Sequence, residues 1–282
     1  MMRLADLLAV RVEGWTRRWD ERETMLYALS LGFGGGGDPG DLRYVYEGAG
    51  LVALPTMAMV LSSTGALARM GVPMPQLLHA GQRLRIHAPL PAAGALVADA
   101  HVAAVVDRGP GKGAMIELRT EARCAESRAP LFTSEMVVLA RTLGGIDRGE
   151  AAVSPDGPAP QPIDRAPDTC VTLDTRNDAA LLYRLNGDRN PLHADPAIAR
   201  SAGFAGPILH GLCTYGMATR ALAGAGIGPD EIAALDARFS QPVFPGDRLT
   251  FDIWHEPGAA RFRCRVAERE AVVLRDGLCR LA

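Results

Sequence analysis

The run Tyr183-Arg184-Leu185-Asn186-Gly187-Asp188-Arg189-Asn190-Pro191-Leu192-His193 gathers a carboxylate, a carboxamide and an imidazole into one short stretch. Asn186-Gly187 favours a tight turn, and Pro191 restricts Asn190 to an extended backbone. An Asp and a His presented on one turn can hold a water between them, deprotonate it near neutral pH and return the proton elsewhere. The same residues also suit a capped turn, with Asp188 bonding backbone amides and His193 packed. A second segment, Ile208-Leu209-His210-Gly211-Leu212, supplies a complementary group. A glycine opening a helix leaves its N–H unobstructed, and the helix dipole adds partial positive charge there. That combination suits an oxyanion built on a thioester carbonyl. The plainer alternative is a small residue at a crowded helix start.

The elements that must position these groups occur in two sets. Pro55 to Arg69 is expected to be a helix, with proline in the first turn and Met57, Val60, Leu61 and Leu67 on its apolar face. Leu209 to Leu222 is its counterpart, with Leu212, Tyr215, Met217 and Leu222. Downstream of each lies a strand, a proline-rich corner and a further strand, through Pro89-Leu90-Pro91 in one case and Pro242-Val243-Phe244-Pro245-Gly246 in the other. Strand-like runs follow: Leu96–Val106, Ala114–Cys124 and Leu131–Ala140, then Arg248–Trp254, Ala260–Val266 and Ala271–Leu278. One repeat unit thus occurs twice. Between the copies, Thr142 to Cys170 carries seven prolines and glycines between Gly144 and Pro160 alone and no apolar periodicity. This predicts an N-terminal unit over 1–145, a linker over 146–168 and a C-terminal unit over 169–282. An apolar helix followed by antiparallel strands, twice over, is an α+β architecture.

Bulk properties narrow the function classes. The chain has 282 residues, of which 48% are hydrophobic, and a formal net charge of −2. That charge gives no general reason to bind nucleic acid or an anionic membrane. The five cysteines, Cys124, Cys170, Cys213, Cys264 and Cys279, show no CxxC spacing, and the six histidines include no HExxH. Reduced thiols and no metal centre are expected. No run is long and apolar enough to span a membrane, and Arg280-Leu281-Ala282 is not a peroxisomal address, so a cytoplasmic protein is expected. Gly32-Phe33-Gly34-Gly35-Gly36-Gly37 satisfies GxGxxG formally. It follows a helix-like segment rather than a strand, and Asp38-Pro39-Gly40 comes next, so it reads as a loop and no nucleotide cofactor is expected.

The run Gly187-Asp188-Arg189-Asn190-Pro191-Leu192-His193, followed by Asp195-Pro196, Ala202-Gly203-Phe204 and Pro207-Ile208-Leu209-His210-Gly211-Leu212, resembles the hydratase 2 motif of the MaoC-like, R-specific enoyl-CoA hydratases. Tyr27-Ala28-Leu29, Asp41 to Gly48, Leu54-Pro55-Thr56, Leu78-His79, Pro89-Leu90-Pro91 and Asp107-Arg108-Gly109 extend the resemblance to the double-hotdog hydratase 2 unit of peroxisomal multifunctional enzymes. It covers nearly the whole chain. The resemblance implies two hotdog units, each a central helix wrapped by a curved antiparallel sheet. It also implies hydration of a trans-2-enoyl-CoA to the (3R)-3-hydroxyacyl-CoA without cofactor or metal, and a homodimer.

By the same resemblance Asp188 and His193 form the catalytic pair, Asn190 holds their loop and water, and the Gly211 amide is the oxyanion donor. His79, Ala80, Arg108, Arg189 and Phe239 are the expected substrate- and CoA-binding residues. The first unit lacks a D-x-N-P-x-H motif, and Pro55 has no N–H to offer, so it is expected to be catalytically silent and to shape the pocket. Two positions depart from the pattern. Ala80 follows His79 where relatives often carry glycine, and Arg108 stands where they often carry lysine. Lys112 on the same hairpin is either a second cation for the phosphates or simply part of an exposed basic hairpin. Glu47 is expected in a structural ion pair or cap, with support of the site as its alternative, and His210 in helix-start packing. Alternatives within the resemblance are hydration or dehydration of a polar or branched acyl thioester, a non-catalytic acyl-CoA-binding protein, or a thioesterase on the same fold.

Overall fold

The computed structural model describes residues 3–146 and 163–282. Most of the expected linker therefore lies outside the described residues. Among the described residues ten strands form one antiparallel sheet. They are β1 (Arg11–Trp19), β2 (Leu77–Ile86), β3 (Gly94–Asp107), β4 (Ala114–Cys124), β5 (Pro130–Ala140), β6 (Thr169–Asp174), β7 (Ile232–Phe239), β8 (Arg248–Glu256), β9 (Ala259–Val266) and β10 (Ala271–Leu281). Their order is β1-β3-β4-β5-β2-β7-β10-β9-β8-β6. Read from each outer edge inward, the two halves follow the same pattern: first, third, fourth, fifth and second strand. The repeat seen in the sequence is thus a repeat of topology. The halves meet where β2 pairs with β7, from Gly81↔Arg238 to Arg85↔Ala234, so the sheet crosses from one half to the other without an open edge between them.

Among the described residues eight α-helices accompany the sheet: α1 (Leu4–Leu8), α2 (Glu21–Ser30), α3 (Leu42–Val45), α4 (Ala58–Leu61), α5 (Ala66–Arg69), α6 (Ala179–Tyr183), α7 (Pro196–Ser201) and α8 (Gly211–Gly224). Helix α8 is buried on nearly every side, which makes it the central helix of the C-terminal half. The Tyr215 hydroxyl donates to the Leu235 carbonyl at 2.7 Å and fixes α8 against β7. Gly216 lets α2 approach: a Cβ there would lie 2.7 Å from Leu31 and 2.9 Å from the Tyr27 hydroxyl. Helix α2 starts with a capping box in which Asp20 accepts from the Glu23 amide at 2.9 Å and Glu23 accepts from the Asp20 amide. One main core packs Tyr27, Leu54, Met57 and Phe132 of the first half with Tyr183, Tyr215, Leu235 and Phe251 of the second.

The first-half helix differs from its expected form. Pro55 to Arg69 is not continuous: a 3-10 turn (Pro55–Met57) leads into α4, the chain breaks, and α5 resumes at Ala66. The break falls on Ser62-Ser63-Thr64-Gly65. The Ser62 hydroxyl donates back to the Met59 carbonyl at 3.1 Å, and Gly65 takes φ +77°. Hydroxyl side chains compete for backbone partners, and a left-handed glycine ends a helix. Two edge strands, β1 and β6, carry no strong alternation in sequence and emerge only in the structure. Gly14, at φ +63°, makes the bulge in β1 and donates its N–H to Asp99 at 2.8 Å. The glycine-rich segment at Gly32 follows α2 and leads into a 3-10 turn (Pro39–Asp41), so it does not join a strand to a helix.

Candidate active site

The Asp188 turn is built by local rules. Helix α6 tightens into a 3-10 turn (Arg184–Asn186), and Gly187 then reverses the chain at φ +125°, a conformation that favours glycine. The Asn186 side chain donates to the Ser30 hydroxyl and to the Tyr183 carbonyl, both at 3.0 Å, which ties the turn to α2 of the other half. Asp188 accepts from the Asn190 amide at 3.1 Å, and Asn190 accepts from the Leu192 amide at 3.1 Å. These two successive side-chain turns deliver the chain into a 3-10 turn (Pro191–His193). Asp188 does bond a backbone amide, as a capped turn would, yet its side chain is exposed while His193 is buried beside it.

The His193 ring has a defined tautomer. Nδ1 lies 2.8 Å from the Ile208 carbonyl, which can only accept, so Nδ1 carries the proton and Nε2 keeps its lone pair. His210, the residue before α8, stacks on His193 with ring centroids 3.7 Å apart and planes 25° apart. Its Nε2 donates to the Asp188 carbonyl at 3.1 Å. Asp188, His193 and His210 each bring a polar side-chain atom within 4.8 Å of the others. A single water accepting or donating two hydrogen bonds of ~2.8 Å spans about that separation. The two stacked rings each have one nitrogen bonded to a backbone carbonyl and the other available as an acceptor.

Burial pushes the His193 imidazole below its ordinary pKa. It pushes His210 down to about 4, with the neighbouring His193 charge adding to the effect. His79 is also held at about 4, again chiefly by burial. All three rings are therefore neutral at pH 7, and an uncharged His193 is the form that can accept a proton.

Gly211 is the first residue of α8, so helix geometry leaves its N–H without an intrahelical acceptor. Phe239, at the end of β7, packs where a Gly211 side chain would stand: a Cβ on Gly211 would sit 3.1 Å from the Phe239 ring. On its other side Phe239 packs against His79 of β2, with ring centroids 4.5 Å apart. The β2–β7 junction thus brings a residue from the first half to the site. His79 Nε2 donates to the Gly81 carbonyl at 3.1 Å. Ala80 is the extra residue of a bulge between His79 and Gly81 in the β2–β5 pairing. It is not in the left-handed region, so alanine fits there without strain. His193 also lines a cavity of about 300 Å³, together with Ala180, Leu181, Pro207, Phe244 and Pro245.

The structure brings Asp188, Asn190, His193, Gly211, Phe239 and His79 together. Arg189 is exposed on the same turn. Arg108 is not in this cluster. It is exposed on the β3–β4 hairpin, where Asp107 accepts from the Gly109 and Gly145 amides. The pairings Asp107↔Ala114, Ala114↔Ala140 and Leu77↔Ala140 put it at the same sheet end as His79, three strands across. At ~4.8 Å per strand that is roughly 14 Å. Lys112 is exposed on the same hairpin. Glu47 corrects its expectation: among the described residues it joins neither ion pair nor helix cap, and it walls a surface groove with Asp20, Glu21 and Arg22. His210 is packed as expected but also touches both Asp188 and His193. Its place immediately before Gly211 was the one available sequence signal, and Tyr183, whose ring lies 5.0 Å from His210, gave none.

Comparison with known proteins identifies the family. A MaoC like domain model matches residues 158–275, and an MFE-2 hydratase 2 N-terminal domain model matches residues 18–142. The chain is 44% identical over 275 residues to 3-hydroxyacyl-thioester dehydratase Y of Mycobacterium tuberculosis, covering 92% of this chain and 91% of that protein. It is 34% identical to the peroxisomal enoyl-CoA hydratase 2 of Arabidopsis thaliana, covering 95% and 92%. The MaoC-like dehydratase structure from Phytophthora capsici superposes with a TM-score of 0.86 at 28% identity, covering 100% of this chain and 98% of that one. Among the described residues no helix is long and apolar enough to cross a membrane. With one family model on each topological half, the chain belongs to the MaoC-like hydratase 2 family and has its double-hotdog fold.

Proposed function

We propose that the protein is an R-specific enoyl-CoA hydratase. The observation that carries this reading is that Asp188, a neutral His193 and His210 each bring a polar side-chain atom within 4.8 Å of the others, a water's span, with His210 directly preceding Gly211 at the start of α8. Asp188 and His193 hold a water whose oxygen attacks C3 of the trans-2-enoyl thioester. As the C3–O bond forms, a proton leaves the water to this pair, and the alkene electrons move through C2 onto the thioester oxygen. The Gly211 N–H, at the positive end of the α8 dipole, stabilises that enolate oxygen. Collapse of the enolate takes a proton from the pair onto C2. Both groups sit on one turn, so water and proton add to the same face, a syn addition; the 3R outcome follows the family. The thioester itself accepts the charge, so the reading calls for no metal or organic cofactor. The reverse reaction is dehydration of the 3-hydroxyacyl thioester, the activity named for the mycobacterial relative.

In this reading the N-terminal unit is catalytically silent. His79, Ala80 and Phe239 wall the acyl entrance, while Arg108, Lys112 and Arg189 answer the CoA phosphates. The units are taken as 1–145 and 169–282, and the assembly as a homodimer in the cytoplasm. A monomeric mass by light scattering at micromolar concentration would sink the dimer. The decisive assay is chirally resolved hydration of crotonyl-, decenoyl- and branched enoyl-CoA. The expected product is 3R; a 3S product, or binding without turnover, overturns the reading.

A further inference from the structure

His210 has more contact with the site than a filler at a helix start requires. Its ring is 2% exposed and lies against His193 face to face. The Asp188 carbonyl can only accept, so the 3.1 Å bond fixes the Nε2–H tautomer of His210. Its Nδ1 is then a bare lone pair, and it is buried with no hydrogen-bond partner among the described residues. A buried histidine with one nitrogen unsatisfied costs stability unless the other nitrogen and the ring face provide something in return. Both of its engaged features act on the two groups that the reading above makes catalytic. The bond grips the backbone of Asp188, and the stack limits how far the His193 ring can rotate about its Nδ1 bond to Ile208. The remaining polar or charged groups facing it are the Tyr183 ring, 5.0 Å away, and Arg184.

We propose that His210 is a positioning residue that holds Asp188 and His193 in one water-binding geometry. It does so through a single imidazole, donating from Nε2 to the Asp188 carbonyl and stacking on His193. It does not exchange a proton with substrate. The hydrogen bond fixes where the carboxylate stands, and the stack fixes the plane in which the His193 Nε2 lone pair points. Because His210 directly precedes Gly211, the same residue couples the Asp188 turn to the start of α8. Carboxylate, imidazole and amide donor are thereby referenced to one another.

The inference rests on the hydratase reading, and two substitutions with one spectroscopic measurement separate the two. His210→Phe keeps a flat ring for stacking and removes the donor. His210→Gln keeps an N–H near the position of Nε2 and removes the stack. For crotonyl-CoA, His210→Phe is expected to lower kcat about 10- to 100-fold, the scale of a misplaced catalytic group, with KM within about twofold. His210→Gln is expected to recover part of that loss even if it melts at a lower temperature. A residue that only fills space gives the opposite order, with Phe the better replacement and activity following thermal stability. Wild-type kcat in folded His210→Phe overturns the proposal. If either variant fails to fold, ¹⁵N NMR of the wild-type imidazoles decides. The expected pattern at pH 7 is neutral His210 protonated at Nε2 and neutral His193 protonated at Nδ1. A His210 protonated at Nδ1, or at both nitrogens, overturns it. A wild-type enzyme that shows this pattern but hydrates no enoyl-CoA refutes the hydratase reading and leaves the positioning geometry standing.

Discussion

In the C-terminal half the chain enters α8 at Gly211, with a free amide, and runs to Gly224 without a break. In the N-terminal half it enters at Pro55, which has no amide hydrogen, and the helix breaks at Ser62 to Gly65. The strands around the two helices follow the same order, and the halves share a core. The difference teaches that the sheet pattern survives without a helix able to serve an oxyanion, since strand pairing and burial do not depend on one N–H. The N-terminal half instead lends side chains. His79 reaches Phe239 across the β2–β7 seam, and Ser30 receives Asn186 from the Asp188 turn.

The contrast breaks most sharply at the Asp188 turn, which has no counterpart in the first half. Asp188→Asn and His193→Gln are each expected to lower kcat by ~10²–10⁴-fold with the folded spectrum unchanged, because each removes general acid–base chemistry. Unchanged rates in either variant would take that residue out of the reaction.

Gly211→Pro makes the second helix begin as the first one does. His210 already has φ −60° and ψ 134°, which suits a residue before proline, and proline is tolerated at a first helical position. The ring must displace Phe239 slightly, since a Cβ meets it at 3.1 Å. Loss of the amide donor is expected to cost about 10²–10³-fold in kcat. A companion Pro55→Ala variant should keep its rate; if it loses activity as severely, the first helix is not silent.

Arg108→Ala probes the pocket role of the first half. A phosphate contact is shared by ground and transition states, so KM should rise several-fold (on the order of 3–10) while kcat stays near wild type. A pure kcat effect in steady-state assays would contradict the placement of Arg108 along the CoA.

Acid should loosen the seam between the halves. His79 and His210 titrate near 6.5 when unfolded and at about 4 when folded. Between those values the unfolded chain binds more protons, so stability is complete above pH 6.5 and is lost as pH falls towards 4. Thermal melts across that window should show a decline, and His79→Phe should flatten it. Acid sensitivity unaffected by either histidine would point elsewhere.

The smallest effect is expected at the helix break. Gly65→Ala forces φ +77° on a residue with a Cβ and should cost about 1 kcal/mol in denaturant melts, with kcat unaltered. A change in turnover would mean that the broken helix transmits to the site.

The sequence alone specified the groups whose physics is local. Gly187 and Pro191 shape the Asp188 turn through backbone sterics, and the D-x-N-P-L-H order places donor and acceptor atoms a fixed distance apart on it. Strong strands such as Ala114–Cys124 were legible because their apolar residues meet a core. What it left open depends on contacts between distant segments. The break after α4 depends on hydroxyl competition that helix periodicity does not register, and β1 and β6 are set by the partners β3 and β8. Glu47, His210 and Arg108 fall in the same class. His210 stacks on His193 only because the Ile208 strap folds back over the turn, and His79 meets Phe239 only because β2 pairs with β7. A side chain's type and neighbours in sequence fix what it can donate or accept. Which atom receives that bond is decided by burial and pairing over the whole chain, and here contacts between separate segments determine the tautomers of His193 and His210.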